Sequence, residues 1–182
     1  MARIYCGVTR QPVSLDELTA SIRERTWREG GGAIVVFQGY VKGVVEGEEV
    51  EYLEYTAYQE YAEEALCRLA REVAEGHGVL EAHVYHRVGR LGPGEPTIYI
   101  VVAARGRREA FSAAAELLER VKHEAPIFKL EKRSSGEYWV LGDKRIPRRE
   151  VVGLAASGEE DGRAGVEGYK QEGVGGGHEP PA

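Results

Sequence analysis

Lys122 and Lys129 flank the only break in the pattern of residues 107–131, RREAFSAAAELLERVKHEAPIFKLE. Phe111, Ala114, Leu118, Val121 and Ala125 recur at spacings of three or four, which predicts a helix with one apolar stripe facing a core. Pro126 disfavours helical geometry at Ala125 and has no N–H to donate, so the helix should end there and an extended segment follow. That corner would bring two ammonium groups into one site. Such a pair can hold an anion and stabilise charge developing on oxygen. A lysine whose pKa is lowered by cationic neighbours can also move protons. The bland reading of either lysine alone is a solvated surface charge.

The charge balance points the same way. The 182-residue chain carries a formal net charge of −6. Residues 157–182 hold six acids and two bases, whereas Arg105 to Arg149 hold twelve Lys and Arg against seven acids. A basic region inside a mildly acidic molecule suits an anionic ligand or an acidic partner surface, and not general nucleic-acid binding. No apolar run approaches the ~20 residues that span a bilayer, and the start, MARIYCGVTR, has no secretory h-region. A soluble cytoplasmic protein is expected, with no membrane partner. Cys6 and Cys67 match no ligand or redox spacing, and five scattered histidines give no metal pattern. Free thiols are expected, and neither a metal nor a cofactor.

Several elements must position the corner. Arg3 to Val8 can form a short strand. Ser14-Leu15-Asp16-Glu17 has the form of a capping box and should start a short helix ending near Arg25. Glu29 to Gly32 is a loop, since no helix or GKS follows the glycines. Ala33 to Phe37 is a buried strand, continued by Gly39 to Gly43. Val50 to Tyr55 alternates like a half-exposed strand and is expected to pair with it as a hairpin. Tyr58 to Glu75 is a second helix with Tyr58, Ala62, Leu66, Leu69 and Val73 inward and Gly76 as its cap. Val79 to His86 and Thr97 to Ala104 form a hairpin around the turn Gly89 to Glu95. His86 and Arg87 are either a functional or a structural pair. Beyond the corner, Ile127 to Lys132 and Glu137 to Leu141 are strands joined at Ser134 to Gly136, with Trp139 as an anchor, followed by a basic edge, DKRIPRRE. Residues 1–152 are expected to form one domain and 153–182 a Gly/Glu-rich disordered tail.

In order, GAIVVFQGYVKG, LEYTAYQEYAEEAL, VYHRVGRLGPGEPTIYIVVAA, REAF, VKHEAPIFKLE and YWV resemble the large, catalytic subunit of molybdopterin synthase, the MoaE family. The combination of HRxGxLxxGE and KxxAPxxKxE carries the resemblance, which covers residues 3–150. It implies an α+β chain, an α/β hammerhead fold with an added small antiparallel β subdomain. It implies a dimer of large subunits, each bound to a small ubiquitin-like subunit, a heterotetramer overall. The small subunit's C-terminal Gly-Gly would carry a thiocarboxylate, whose sulfur passes to cyclic pyranopterin monophosphate to build the molybdopterin dithiolene.

The resemblance implies Lys122 and Lys129 as the catalytic pair. Its substrate-binding segments fall on Tyr40-Val41-Lys42, on Gly106-Arg107 and on Lys129-Leu130-Glu131. Two departures stand out. Lys42 occupies an arginine position, keeping charge but losing the bidentate fork. Gly106 occupies a histidine position, so an imidazole is missing there. On this reading Lys122 lies nearest the partner's terminal glycine and Lys129 binds the pterin and assists proton transfer. Lys42 and Arg107 hold phosphate, and Glu131 orients Lys129 or binds pterin nitrogens. The missing histidine leaves a second reading open, an inactive module that only docks a ubiquitin-like protein. A sulfur carrier is a weaker third, since the glycines of GGGHEPPA are internal.

Overall fold

The computed structural model describes residues 1–141 and 144–150. Met1–Arg148 form one compact unit. The expected boundary at 152–153 and the tail beyond it lie outside the described residues.

The chain is α+β with two sheets, as expected. The first sheet has the order β1-β5-β7-β2, from Arg3–Thr9 (β1), Glu81–Arg87 (β5), Pro96–Ala104 (β7) and Ala33–Tyr40 (β2). β1 runs parallel to β5, and the other two pairings are antiparallel. β7 is central and covered on both faces, which explains its unbroken apolar run TIYIVVAA. Ile98, Ile100 and Val102 pack under helices α2 (Gln59–His77) and α3 (Arg107–Glu124). Val101 and Ala103 point the other way, against Ile22 of α1 (Leu15–Thr26). The result is one helix, a sheet and two helices in layers.

The second sheet is antiparallel and runs β10-β9-β8-β4-β3, with β6 paired to β4. Its strands are Val44–Val45 (β3), Glu48–Ala57 (β4), Gly89–Leu91 (β6), Ile127–Arg133 (β8), Gly136–Leu141 (β9) and Lys144–Pro147 (β10). The expected hairpin of β2 with β4 does not form, because these strands belong to different sheets. β4 turns back on the short β3 through Glu46 and Gly47, both at positive φ (55° and 82°). The other two expected hairpins, β5 with β7 and β8 with β9, are present. Within the basic edge, Lys144–Pro147 form a strand, β10, paired with β9.

Helix details also differ from expectation. Ser14 is the N-cap of α1, but its side chain makes no capping bond. Helix α2 runs past Gly76 to Gly78, which takes the left-handed conformation at φ 65°. Tyr58 precedes α2 and is 75% exposed. In α3 the buried seam is Ala110, Ala113, Ala114, Leu117 and Val121, so Phe111 lies off it and faces solvent. Small alanines let α3 lie close to α2 and the sheet, and the bulky phenyl is turned out. Cys6 of β1 and Cys67 of α2 are joined as a disulfide with Cα atoms 5.4 Å apart, against the expectation of free thiols. The packing of α2 on β1 brings them together across 61 residues of sequence.

Candidate active site

The corner forms as the sequence predicts. Helix α3 ends at Glu124, and Ala125 turns to extended geometry (φ −77°, ψ 133°). The Ala125 N–H still reaches the Val121 carbonyl, and the Ile127 N–H reaches the Ala125 carbonyl at 2.8 Å, a three-residue turn around Pro126. β8 therefore leaves at once and pairs with β4, placing Lys129 opposite Tyr55. Residues two apart on a strand share a face, so Ile127, Lys129, Glu131 and Arg133 lie on one side of β8.

Between the two sheets and the end of α3 lies a cavity of about 360 Å³. Lys122 enters from the last turn of α3, Lys129 from β8 and Lys42 from just beyond β2. Apolar wall comes from Phe37, Ile98, Leu118, Val121, Ile127 and Val140. Tyr40, Tyr55, Thr97 and His86 supply the uncharged polar groups. A mostly apolar cleft with a few convergent polar groups is the form of a small-molecule site.

Two local devices shape the mouth. A register shift between Gly39 and Tyr40 re-aims the end of β2. At Gly39 an added Cβ would lie 2.8 Å from Ile98 Cγ2, so β2 and β7 approach there only because residue 39 has no side chain. The second device is the HRxGxLxxGE stretch. Arg87 donates to the Glu95 carboxylate, to the Pro96 carbonyl at 3.0 Å and to the Arg10 carbonyl at 3.2 Å. The other Glu95 oxygen accepts the Gly92 N–H at 2.7 Å. The loop so fixed clamps Val41, whose N–H reaches the Glu95 carbonyl at 2.9 Å and whose carbonyl accepts the Gly94 N–H at 2.8 Å. Arg87 and Glu95 are thus structural, and they hold Tyr40 and Lys42 at the cavity.

Electrostatics follow from burial. Lys129 titrates below the usual lysine range because burial disfavours its ammonium; Glu131 opposes this, while Arg145, Lys42 and Lys122 add to it. Burial also pushes the Tyr55 hydroxyl up to about 12 and the His86 imidazole down to about 4. Both are neutral at pH 7. Lys122 remains half exposed, with Glu119 4.0 Å away, at the helix end that favours cations.

The structure brings together Lys122, Lys129, Lys42 and Tyr40 around the cavity and leaves other expected residues outside its wall. Val41 is fully buried in the core of the second sheet, with Leu53 and Leu91. Leu130 is buried on the opposite face of β8 from Lys129. Glu131 is buried too, and its Oε1 accepts from Arg133 and Arg145, so it acts on Lys129 by charge. Gly106 and Arg107 begin α3, fifteen residues from Lys122, about 22 Å along the helix axis. The space where a side chain at 106 would start holds the Glu109 carboxylate. Sequence reasoning missed Tyr55, Thr97 and Phe37 as wall residues and left His86 undecided. The alternation of VEYLEY marked Tyr55 as one-faced, but only the pairing with β8 showed towards what.

The MoaE protein family model matches residues 8–124. The molybdopterin synthase catalytic subunit of Pyrococcus abyssi is 40% identical over 116 residues, 64% of this chain and 78% of that protein. Molybdopterin synthase catalytic subunit 1 of Mycobacterium tuberculosis is 36% identical over 140 residues, 77% of this chain and 92% of that protein. Among solved structures, molybdopterin synthase from Staphylococcus aureus superposes with a TM-score of 0.65 at 32% identity, covering 74% of this chain and 95% of that one. A complex of subunits 1 and 2 of molybdopterin-converting factor from Helicobacter pylori shares the fold, at TM-score 0.57 and 21% identity, over 80% of this chain and 90% of that one. With the family model matching well over half of its residues, the chain belongs to the MoaE family, that of the catalytic subunits of molybdopterin synthase.

Proposed function

We propose that this molybdopterin synthase catalytic subunit, an enzyme of molybdenum cofactor biosynthesis, moves sulfur from a partner's C-terminal thiocarboxylate onto cyclic pyranopterin monophosphate. The observation that carries this is the meeting of Lys42, Lys122 and Lys129 in one cavity with apolar walls. Three ammonium groups suit a ligand bearing a phosphate together with an anionic thiocarboxylate tail. The partner is a small ubiquitin-like subunit ending in Gly-Gly. The relatives, each a molybdopterin synthase catalytic subunit, and the two-subunit Helicobacter pylori complex support that reading.

The place of each residue supports a role for it. Lys122, half exposed at the helix end, meets the incoming tail and stabilises charge on the carbonyl oxygen under attack. Lys129, buried and lowered in pKa, holds the pterin and can release and regain a proton more readily than a free lysine. Lys42, exposed at the mouth, binds phosphate as a point charge. Arg107 cannot reach the cavity of its own chain, given the length of α3. Its phosphate role requires the homodimer, with the start of α3 in one copy facing the cavity of the other.

Turnover with thiocarboxylated partner and cyclic pyranopterin monophosphate tests the catalytic reading. Lys122→Ala is expected to lose activity with the fold intact, and a mutant as fast as wild type would end the assignment. The shared site has its own test. Mixed Lys122→Ala and Arg107→Ala subunits should regain part of the activity that each lacks alone, and mixtures as inactive as the parents would remove the second copy from the site.

A further inference from the structure

We propose that His86 is a specificity-determining residue of this cavity, its Nε2 being a fixed hydrogen-bond acceptor that reads an N–H donor on the pterin ring. The inference rests on the cavity being the pterin site. Its geometry stands separately. The His86 side chain lines the cavity yet is only 8% exposed as a residue. Its Nδ1 lies 2.8 Å from the carbonyl oxygen of Arg87. A carbonyl only accepts, so Nδ1 carries the hydrogen. Nε2 has no protein partner among the described residues. Tyr55 packs edge-on against the ring at 4.8 Å between centroids, and Arg87 is held by Glu95, Pro96 and Arg10. The ring can neither swing out nor exchange its tautomer without breaking that bond.

The charges facing His86 keep Nε2 bare. Burial disfavours the imidazolium, and the Lys129 charge from β8 adds to that. Lys42 and Lys122 line the same cavity. The ring is neutral at pH 7. The contrast with the other lining groups gives this its force. The three lysines only donate, and the hydroxyls of Tyr40, Tyr55 and Thr97 can do either. His86 Nε2 alone among the lining side chains offers an acceptor with no hydrogen of its own. A ligand bound only through its anion would leave it unpaired. A heterocycle with a ring N–H or an exocyclic amino group satisfies it, and an analogue lacking that donor does not. The lysines select an anion, and His86 selects what the anion is attached to.

Calorimetric titration of the full chain with two probes tests this, cyclic pyranopterin monophosphate and inorganic phosphate. His86→Leu is expected to weaken pterin binding by about tenfold and to leave phosphate binding unchanged. His86→Gln, which keeps an acceptor near the position of Nε2, is expected to stay within about threefold of wild type. Pterin binding by His86→Leu equal to wild type overturns the assignment, as does an equal loss for both probes. Nitrogen NMR of wild type labelled at histidine needs no variant to fold. Nε2 should be unprotonated in the free protein and shift when pterin binds. A protonated Nε2, or one that does not respond, also overturns it. Wild type that binds phosphate but no pterin brings down the functional reading itself, an outcome distinct from the others.

Discussion

Replacing Glu81 by glutamine should lower stability at pH 7 by about 2 to 3 kcal/mol and remove the buried carboxylate's share of the acid dependence between pH 4.5 and 2. Glu81 opens β5, the strand that carries His86, and its side chain is fully buried. Its carboxylate accepts from Arg3 of β1 at 2.9 Å, from Arg25 of α1 and from the His83 ring at 2.7 Å. Arg3 continues to Glu29 at 2.8 Å. One carboxylate thus ties a helix to two strands at the end of the first sheet. Burial alone would raise its pKa, but bonds from Arg25, His83 and Arg3 outweigh burial and hold it at about 2 against an ordinary value of 4.5. A lowered carboxylate pKa contributes stability that is complete above the unfolded value, near 4.5, and is lost as pH falls towards the folded value, near 2. Two and a half units correspond to about 3.4 kcal/mol at full strength. Arg3 and Arg25 are each about a third exposed, so solvent screening trims this towards about 2 to 3 kcal/mol.

His83 adds in the same direction. Burial lowers its pKa below 6.5, against the pull of Glu81, so the folded state prefers it neutral. Its contribution is present above pH 6.5 and erodes below it. Urea denaturation from pH 7 to pH 2 reads both terms. Wild type should weaken first below 6.5 and more steeply below 4.5, while Glu81→Gln should start lower and fall less steeply below 4.5, where Glu29, Glu46, Glu72, Glu95, Glu124 and Glu137 still titrate. A mutant within about 0.5 kcal/mol of wild type at pH 7, or one with the same slope below 4.5, would refute the reasoning.

Reducing the Cys6–Cys67 bond, or replacing Cys67 by serine, should lower stability by up to about 4 kcal/mol, the loop-closure value for a separation of 61 residues; melting with and without reductant checks this. Activity that needs the Lys129 ammonium should fall as pH rises through its lowered pKa, below the usual 10.5, and Arg145→Gln should move that limb upwards by removing a repelling charge and freeing Glu131; pH profiles of kcat measure the shift. Gly39→Ala should cost about 1 to 3 kcal/mol and reduce substrate affinity, because its methyl would meet Ile98 at 2.8 Å beside the cavity; melting and titration together check it.

The parts legible in the sequence were those fixed by short-range rules. Pro126 alone determined where α3 stops and where β8 begins, and alternation marked β4 as one-faced. Pairing was legible where strands are joined directly, as in β8 with β9, and across the Gly89 to Glu95 turn between β5 and β7. β2 and β4, separated only by the short β3, were misassigned, because their pairing depends on β7 and β8, far along the chain, as in Tyr40 with Pro96 and Val50 with Arg133. The seam of α3 was misplaced for another reason. Hydrophobicity favours Phe111 over Ala110, but a close helix–sheet contact selects the small residue. The disulfide likewise depends on α2 lying against β1, which no spacing rule encodes.

The same distinction separates the two halves of the site. The lysines could be found because a corner puts them near each other along the chain, and a family resemblance could name them. The groups that surround them arrive from five further strands through register. Tyr55 faces Lys129 because β4 and β8 pair at that rung, and His86 meets Tyr55 because β5 ends where β6 leaves for the second sheet. The stretch HRVGRLGPGE serves that crossing. Gly89 takes φ 98° at the switch between sheets, Arg87 and Glu95 lock the loop, and the loop fixes Val41 between Tyr40 and Lys42. One segment thus sets both the neutral acceptor on the wall and the cation at the mouth. Loosening it, by Arg87→Met for instance, should disturb pterin recognition and phosphate binding together, whereas His86→Leu should disturb the first alone.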